Sequence, residues 1–235
     1  MTEYDGGLFD DVNTVKTFDE LINSWEDCTR CDIGRANGRR KVTIGGGYVR
    51  LDNGKVNPIR ESNADIVIIG QWPGMEENKT GIPMTGKAGV KTLSFISQYI
   101  RLDRVYITNV LGCCPTLYNS TGYFPSSFAH VCLARVRSIV QIVKPKAILL
   151  LGTEAARYVL DLPASVGLAK LIFKQHLYDG IPTVVAPHPA LLGRMKSAGA
   201  TNQDIDREVE RIARNIQNAR SLADGGKLLY ESTEG

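Results

Sequence analysis

Five cysteines, three histidines and a few acids and amides carry the reactive chemistry available to this chain of 235 residues. Cys28 and Cys31 stand two residues apart, Cys113 and Cys114 are adjacent, and Cys132 follows alone. Reducing pools keep intracellular thiols free, and an odd count argues against a closed set of disulfides, so metal binding or catalysis is the expected use. Two ligands from an early segment and two from mid-chain would clip the N-terminal segment to the body of the protein. Four thiolates suit zinc or an iron–sulfur cluster, and the split spacing fits no ordinary zinc ribbon. His188 lies between Pro187 and Pro189, where a stiff backbone aims the ring. His130 and His176 stand in helical or loop context and are assigned no role.

These residues need elements to position them. Four apolar runs, 65–70 (DIVIIG), 104–110 (RVYITNV), 146–152 (KAILLLG) and 181–187 (IPTVVAP), are nearly continuous rather than alternating. That is the pattern of strands buried on both faces, as in parallel sheets. Helical spacing marks 86–100, 126–143, 153–162 and roughly 204–222, with Pro125 at a helix start and Thr153 as an expected N-cap. Strands alternating with helices predict a three-layer α/β/α sandwich around a four-stranded parallel sheet. The segment 34–58 reads as a loop or small hairpin, and the chain from Asp224 reads as frayed.

In such sheets ligands bind outside the carboxyl ends of the strands. Gly70-Gln71-Trp72-Pro73-Gly74, Thr108-Asn109, Gly152-Thr153-Glu154 and Pro187-His188-Pro189 would therefore gather on one edge. The first of these opens a glycine- and proline-rich stretch holding Glu76 and Glu77, which reads as an irregular binding loop.

Composition narrows the class without naming it. Hydrophobic residues make up 43% and charged residues 23%, ordinary for one globular core. No apolar run approaches the roughly 20 residues of a membrane span. The N-terminus lacks a secretory pattern, so the expectation is a cytoplasmic protein. A net charge of +3 is too small to demand a nucleic-acid partner, yet Arg30, Arg35, Arg39, Arg40, Lys41, Arg50, Lys55 and Arg60 cluster within one segment.

Taken in order, the motifs resemble those of the uracil-DNA glycosylase superfamily, and most closely its family 4 members, which carry an iron–sulfur cluster. The resemblance rests on Cys28-Thr-Arg-Cys31, Gly70-Gln-Trp-Pro-Gly74, the segment Gly81-Ile-Pro-Met-Thr-Gly-Lys-Ala-Gly89, Thr108-Asn-Val-Leu-Gly-Cys113, Cys132 before Gln141-Ile142, and His188-Pro-Ala-Leu-Leu-Gly-Arg194. It runs from about Cys28 to Arg194.

It implies one uracil-DNA glycosylase-like domain over 1–235, with 1–24 as an N-terminal extension and 200–235 as a C-terminal helix and tail. It implies a structural 4Fe-4S cluster on Cys28, Cys31, Cys113 and Cys132, with Cys114 the spare and zinc the alternative. The implied reaction is hydrolysis of the N-glycosidic bond of uracil, or a related modified pyrimidine, in single- or double-stranded DNA. The base would first be flipped out of the stack. His188 would stabilise the leaving base and Glu77 or Glu76 would orient water. Asn109 would read the base edge and Met84 would form the stacking floor, with Gly70, Trp72, Pro73 and Gly74 completing the pocket. Arg194, Lys87, Arg39 and Arg40 would contact DNA. The protein is expected to be a monomer with no membrane association.

Three positions depart from the family pattern. Its motif-one glutamate is Gln71 here, which carries no charge and cannot serve as a base, although the position would remain catalytic by analogy. Its neighbouring alanine is Trp72, and its stacking phenylalanine is Met84. The alternative reading is a weak or inactive member of the superfamily that binds DNA or nucleotides.

Overall fold

A computed structural model of the chain describes residues 15–36, 41–51, 56–115 and 126–231. Two short helices come first, α1 (Phe18–Trp25) and α2 (Asp32–Ala36), followed by strands β1 (Gly46–Arg50), β2 (Val56–Ile59) and β3 (Ile66–Gly70). Helices α3 (Met75–Thr80) and α4 (Lys87–Ile96) lead to β4 (Val105–Asn109), α5 (Ser126–Val143), β5 (Ala147–Leu151) and α6 (Thr153–Val159). The chain then forms β6 (Gln175–Tyr178), β7 (Ile181–Ala186), α7 (Ala190–Ser197) and α8 (Asn202–Ala223).

All seven strands form one sheet in the order β2-β1-β4-β3-β5-β7-β6. The sheet is mixed, which corrects the expectation of a purely parallel four-stranded one. The four predicted apolar runs are β3, β4, β5 and β7, neighbours in parallel pairing. The hairpin β1–β2 adds to β4 antiparallel, and β6 adds to β7 antiparallel. The hairpin is one of the two readings of 34–58, but its pairing with β4 was not expected, and β6 was missed because it is short and no residue of it is buried. In β6 the side chains alternate between exposed and half-buried.

Period-two alternation sorts the parallel strands between two cores. Val67, Ile69, Tyr106, Ile148, Leu150 and Val185 face α1, α5 and α6, where Leu21, Trp25, Val136, Ile139 and Ala155 are buried. Ile66, Ile68, Val105, Ile107, Leu149 and Val184 face α4 and α8, against Ile96, Ile212, Ile216 and Ala219. Helices thus cover both faces. Residues 17–25 are part of this core: α1 has a capping box from Thr17 and Glu20 and buries Leu21 and Trp25.

Three local expectations are corrected. The stretch after Gly70 is not wholly irregular, since 75–80 form α3, closed by Gly81 in the left-handed region at φ 73°. Its buried residues are Glu77 and Asn78, so it has no apolar period to read. At α6 the N-cap is Gly152, at φ 92°, and Thr153 is the first helical residue. The chain after Asp224 is clasped rather than frayed as far as Tyr230. Buried Asn218 accepts the Leu229 and Tyr230 N–H groups at 2.8 and 2.9 Å and donates to the Tyr230 carbonyl at 2.6 Å.

Candidate functional site

β3 is the point where the strand order reverses, with β4 on one side and β5 on the other. A crevice opens there beyond the carboxyl ends of the strands, where α/β sheets bind ligands. It holds a cavity of about 300 Å³ lined by Trp72, Pro73, Gly74, Met75, Glu76, Glu77, Met84, the segment 86–89, Asn109 and His188. Residues from four separate segments of the chain therefore meet in one place. A larger groove of about 610 Å³ borders the same loop at Ile82 and Pro83, between α1 and the β1–β2 hairpin. Glu26, Asp27, Lys41 and Arg60 line it, but it gathers neither the histidine nor the amide, so the smaller cavity is the chemical one.

Each side chain is held by a local device. Asn109 ends β4 in register with Gly70, and its side chain is buried to all but 6%. A Cβ added at Gly70 would stand 2.5 Å from Asn109 Oδ1, so the amide reaches the cavity only across a glycine. Gly70 itself does not line the cavity. His188 follows β7, and its Nδ1 accepts the Ala190 N–H at 3.1 Å. A backbone N–H can only donate, so Nδ1 carries no proton and the neutral ring holds its proton on Nε2. Burial, and secondarily the charge of Arg194, push the His188 pKa down to about 4. The imidazole is thus a neutral donor near neutrality.

Glu77 projects from α3 into a cage of glycines. Its Oε1 accepts the Gly86 N–H at 2.8 Å, and Cβ atoms at Gly74, Gly86 or Gly89 would crowd its carboxylate at 2.6, 3.1 and 2.9 Å. Met84 is buried at φ 60°, a conformation unusual for a residue with a side chain. Gly89 lets α4 press on it, since a Cβ there would meet Met84 Cα at 2.5 Å. Beneath, Tyr48 donates a long hydrogen bond, 3.4 Å, to the Pro83 carbonyl.

Not every predicted residue converges. Gln71 does not line the cavity; its carbonyl accepts the Leu111 N–H at 3.0 Å, which ties the β3 turn to the end of β4. Lys87 is exposed at the rim, and Arg194 is exposed on α7 with its charge felt at His188. Arg39 and Arg40 lie outside the described residues. In the basic segment, Arg35 pairs with Asp32 and Arg30 lies over the Trp25 ring at 4.1 Å.

Cys28, Cys31, Cys113 and Cys132 line a second, small pocket with Trp25, Ile33, Val42, Leu111 and Arg135. Cys114 is turned elsewhere, its N–H donated to Asn78 Oδ1 at 3.0 Å and its sulfur 3.7 Å from Met75 Sδ. The Gly34 N–H points at Cys31 Sγ at 3.5 Å. Burial pushes the Cys113 thiol up, and the Cys132 thiol to about 11. Among the described residues, no three His, Cys, Asp or Glu side chains form a group for a single metal ion. Cys31, Cys113 and Cys132 are buried and Cys28 is half-buried; four such thiols with a backbone N–H donor and an apolar wall fit a polynuclear cluster, which accepts sulfurs more widely spaced than the roughly 4 Å of one tetrahedral zinc.

Arg135 is a buried charged side chain beside the site that sequence patterning missed. It is fully buried and sits where the cysteine pocket meets the end of β4. Helical spacing held the signal, since Arg135 follows Cys132 by three residues and precedes Ile139 by four, on the buried stripe of α5.

Residues 58–213 match the family described as the uracil DNA glycosylase superfamily. Proteins named Type-4 uracil-DNA glycosylase are similar to the chain over shorter stretches. The one from Thermotoga maritima is 35% identical over 107 residues, 44% of this chain and 54% of that protein. Those from Archaeoglobus fulgidus and Pyrobaculum aerophilum are 27% and 29% identical over 149 and 144 residues. These cover 63% and 61% of this chain and 66% and 63% of theirs. The matched stretches thus span between about half and two thirds of the relatives' length.

Proposed function

Because the chain belongs to the uracil DNA glycosylase superfamily, we propose that its crevice hydrolyses the N-glycosidic bond of uracil, or of a related modified pyrimidine, in DNA. The observation that carries this reading is the meeting of Asn109 and His188 in one cavity beyond the sheet. An amide offers both a donor and an acceptor, which a pyrimidine edge requires. The names of the similar proteins point to the same substrate.

The chemistry follows from the geometry. A base in a duplex must leave the stack to reach such a cavity, at a cost of a few kcal/mol. Asn109 then hydrogen-bonds its edge while Met84 and Trp72 flank its faces. As the bond to the sugar lengthens, negative charge grows on the base and oxocarbenium character on the sugar. The Nε2 proton of His188 is donated as a hydrogen bond to a base carbonyl oxygen, where that charge collects. Preorganised donors of this kind are often the largest single catalytic contribution. Glu77, fixed by its glycine cage, orients the water that attacks the sugar carbon. Gln71 is assigned no step, because it does not line the cavity.

Cys28, Cys31, Cys113 and Cys132 are proposed to hold a 4Fe-4S cluster, which when bound would supply a structural clip between the N-terminal helices and β4. Lys87, at the rim, and Arg194, exposed on α7, are the proposed phosphate contacts. DNA repair in the cytoplasm is the proposed setting.

The direct test is release of labelled uracil from an oligonucleotide, followed by alkaline cleavage at the abasic site. His188→Ala and Asn109→Ala are each expected to lower turnover by about ten- to a thousandfold. Binding of DNA without release of any uracil or 5-substituted pyrimidine would make the chain a binding-only member instead.

A further inference from the structure

Arg135 is a full positive charge with no carboxylate partner among the described residues and no exposure to solvent. Its two terminal nitrogens are fully occupied. Nη1 donates to the Ile44 carbonyl and, at 2.8 Å, to Thr108 Oγ1. Nη2 donates to the Asn109 carbonyl at 2.6 Å and to the Val110 carbonyl at 3.3 Å. Its Nε is buried without a partner and lies against Gly112, where an added Cβ would stand 3.2 Å away. Gly112, Cys113, Cys132 and Arg135 line the same pocket.

A buried cation without a counter-charge is strongly unfavourable, and carbonyl dipoles offset only part of that. Around this one the groups whose ionised forms would favour its charge are the sulfurs of Cys132, Cys113 and Cys28, with the Tyr106 hydroxyl. Four thiolates around a metal cluster leave net negative charge at that wall. The other end of the guanidinium grips the backbone of Asn109, the residue that reads the base. Thr108 strengthens the knot by donating to the Ile44 carbonyl at 2.7 Å, so the lead-in to β1 and the end of β4 hang from one side chain.

We infer that Arg135 is the buried counter-cation of the four-cysteine site and the positioning residue that suspends Asn109 from it. The inference rests on the four-thiolate reading given under Proposed function. Its consequence is that the cysteine site and the base pocket are coupled through one planar fork. Lysine cannot reproduce that fork, because an ammonium carries the charge without the paired, flat geometry.

The test uses anaerobically purified, iron-loaded wild type, Arg135→Lys and Arg135→Met. Two quantities are read in each: the reduction potential of the iron–sulfur chromophore, and equilibrium binding of free uracil. Loss of a buried positive charge lowers the potential of a nearby cluster. Arg135→Met is therefore expected to shift the potential negative and to weaken uracil binding by about ten- to a hundredfold, the scale for a misplaced contact group. Arg135→Lys is expected to keep most of the potential yet lose uracil affinity, with KM rising more than kcat falls. An iron-replete Arg135→Met with potential and uracil affinity both unchanged overturns the inference.

Should the variants not fold, wild type alone decides. Stepwise oxidative loss of iron must weaken uracil binding in proportion, and constant affinity overturns the coupling. Wild type that binds no iron removes this inference and the cluster reading together. Wild type with iron and uracil release but a flat Arg135 response removes this inference alone.

Discussion

His188 provides a prediction whose size follows from its surroundings. An ordinary histidine, at pKa 6.5, is about nine-tenths protonated at pH 5.5, whereas one at about 4 is only about one-thirtieth protonated. Burial is the larger cause of the depression and Arg194 the smaller. Glu76, Glu77 and Lys87 face the same cavity from α3 and α4. Protonation would put a hydrogen on Nδ1 where the Ala190 N–H already points, so it would break the bond that aims the ring. The acid limb of kcat/KM for uracil release is therefore expected near pH 4, with a flat profile through pH 5.5 to 7. Stability moves the same way. The folded pKa lies below the unfolded one, so this histidine's contribution is complete above about pH 6.5 and is lost as pH falls towards 4. The loss is roughly 3 kcal/mol at most, which the open edge of the cavity reduces. Nitrogen-detected NMR of labelled protein, with His188→Gln to assign the signal, measures the titration directly. Arg194→Ala should raise the midpoint by less than a unit. A His188 midpoint near 6.5, or an acid limb centred there, would refute the reasoning.

Gly70→Ala places a methyl 2.5 Å from Asn109 Oδ1 and so forces the amide aside; kcat/KM should fall about a hundredfold, while circular dichroism shows the same fold. Met84→Phe should tighten free-uracil binding by about five- to a hundredfold, the range for gaining one aromatic stacking partner, as read by fluorescence titration or calorimetry. Asp65 takes Lys146 at 2.8 Å and Arg104 at 2.7 Å, and these two cations, Lys146 foremost, hold its carboxyl below the usual range. Asp65→Asn should lower stability by about 1 kcal/mol at pH 7. That difference should fade as pH falls through the depressed carboxylate range, and denaturant melts at pH 7 and pH 3 compare the two.

The parts of the fold that were legible in the sequence are those where burial acts on both faces of an element. Ile66 to Ile69 and Ala147 to Leu151 are fully enclosed, so nothing but apolar residues fits and the runs stand out. The β1–β2 hairpin and β6 have solvent on one side or at an edge, and α3 turns Glu77 and Asn78 inward. Their patterns resemble loop sequence because the hairpin buries glycines, β6 buries no residue, and α3 packs through polar groups. The candidate site was legible to the same degree. His188 was marked by its flanking prolines and Asn109 by its place after an apolar run. Gln71 shares a turn with Trp72 and Pro73 but does not line the cavity as they do, a difference that sequence order alone does not carry.

Arg135 and Glu77 show the same limit from another direction. Each is a charged residue that burial should exclude, and each is retained by groups far along the chain: Arg135 by carbonyls at residues 44, 109 and 110, Glu77 by the Gly86 N–H. A charge inside a protein is stable only where the surrounding chain supplies partners, so its role is set by tertiary geometry rather than local spacing. Both lie against the residues that would touch the base, Arg135 through Asn109 and Glu77 through the wall beside Met84. Hydrophobic patterning therefore locates the sheet end that carries the candidate site, whereas the buried charges proposed to act there are ones that patterning treats as surface.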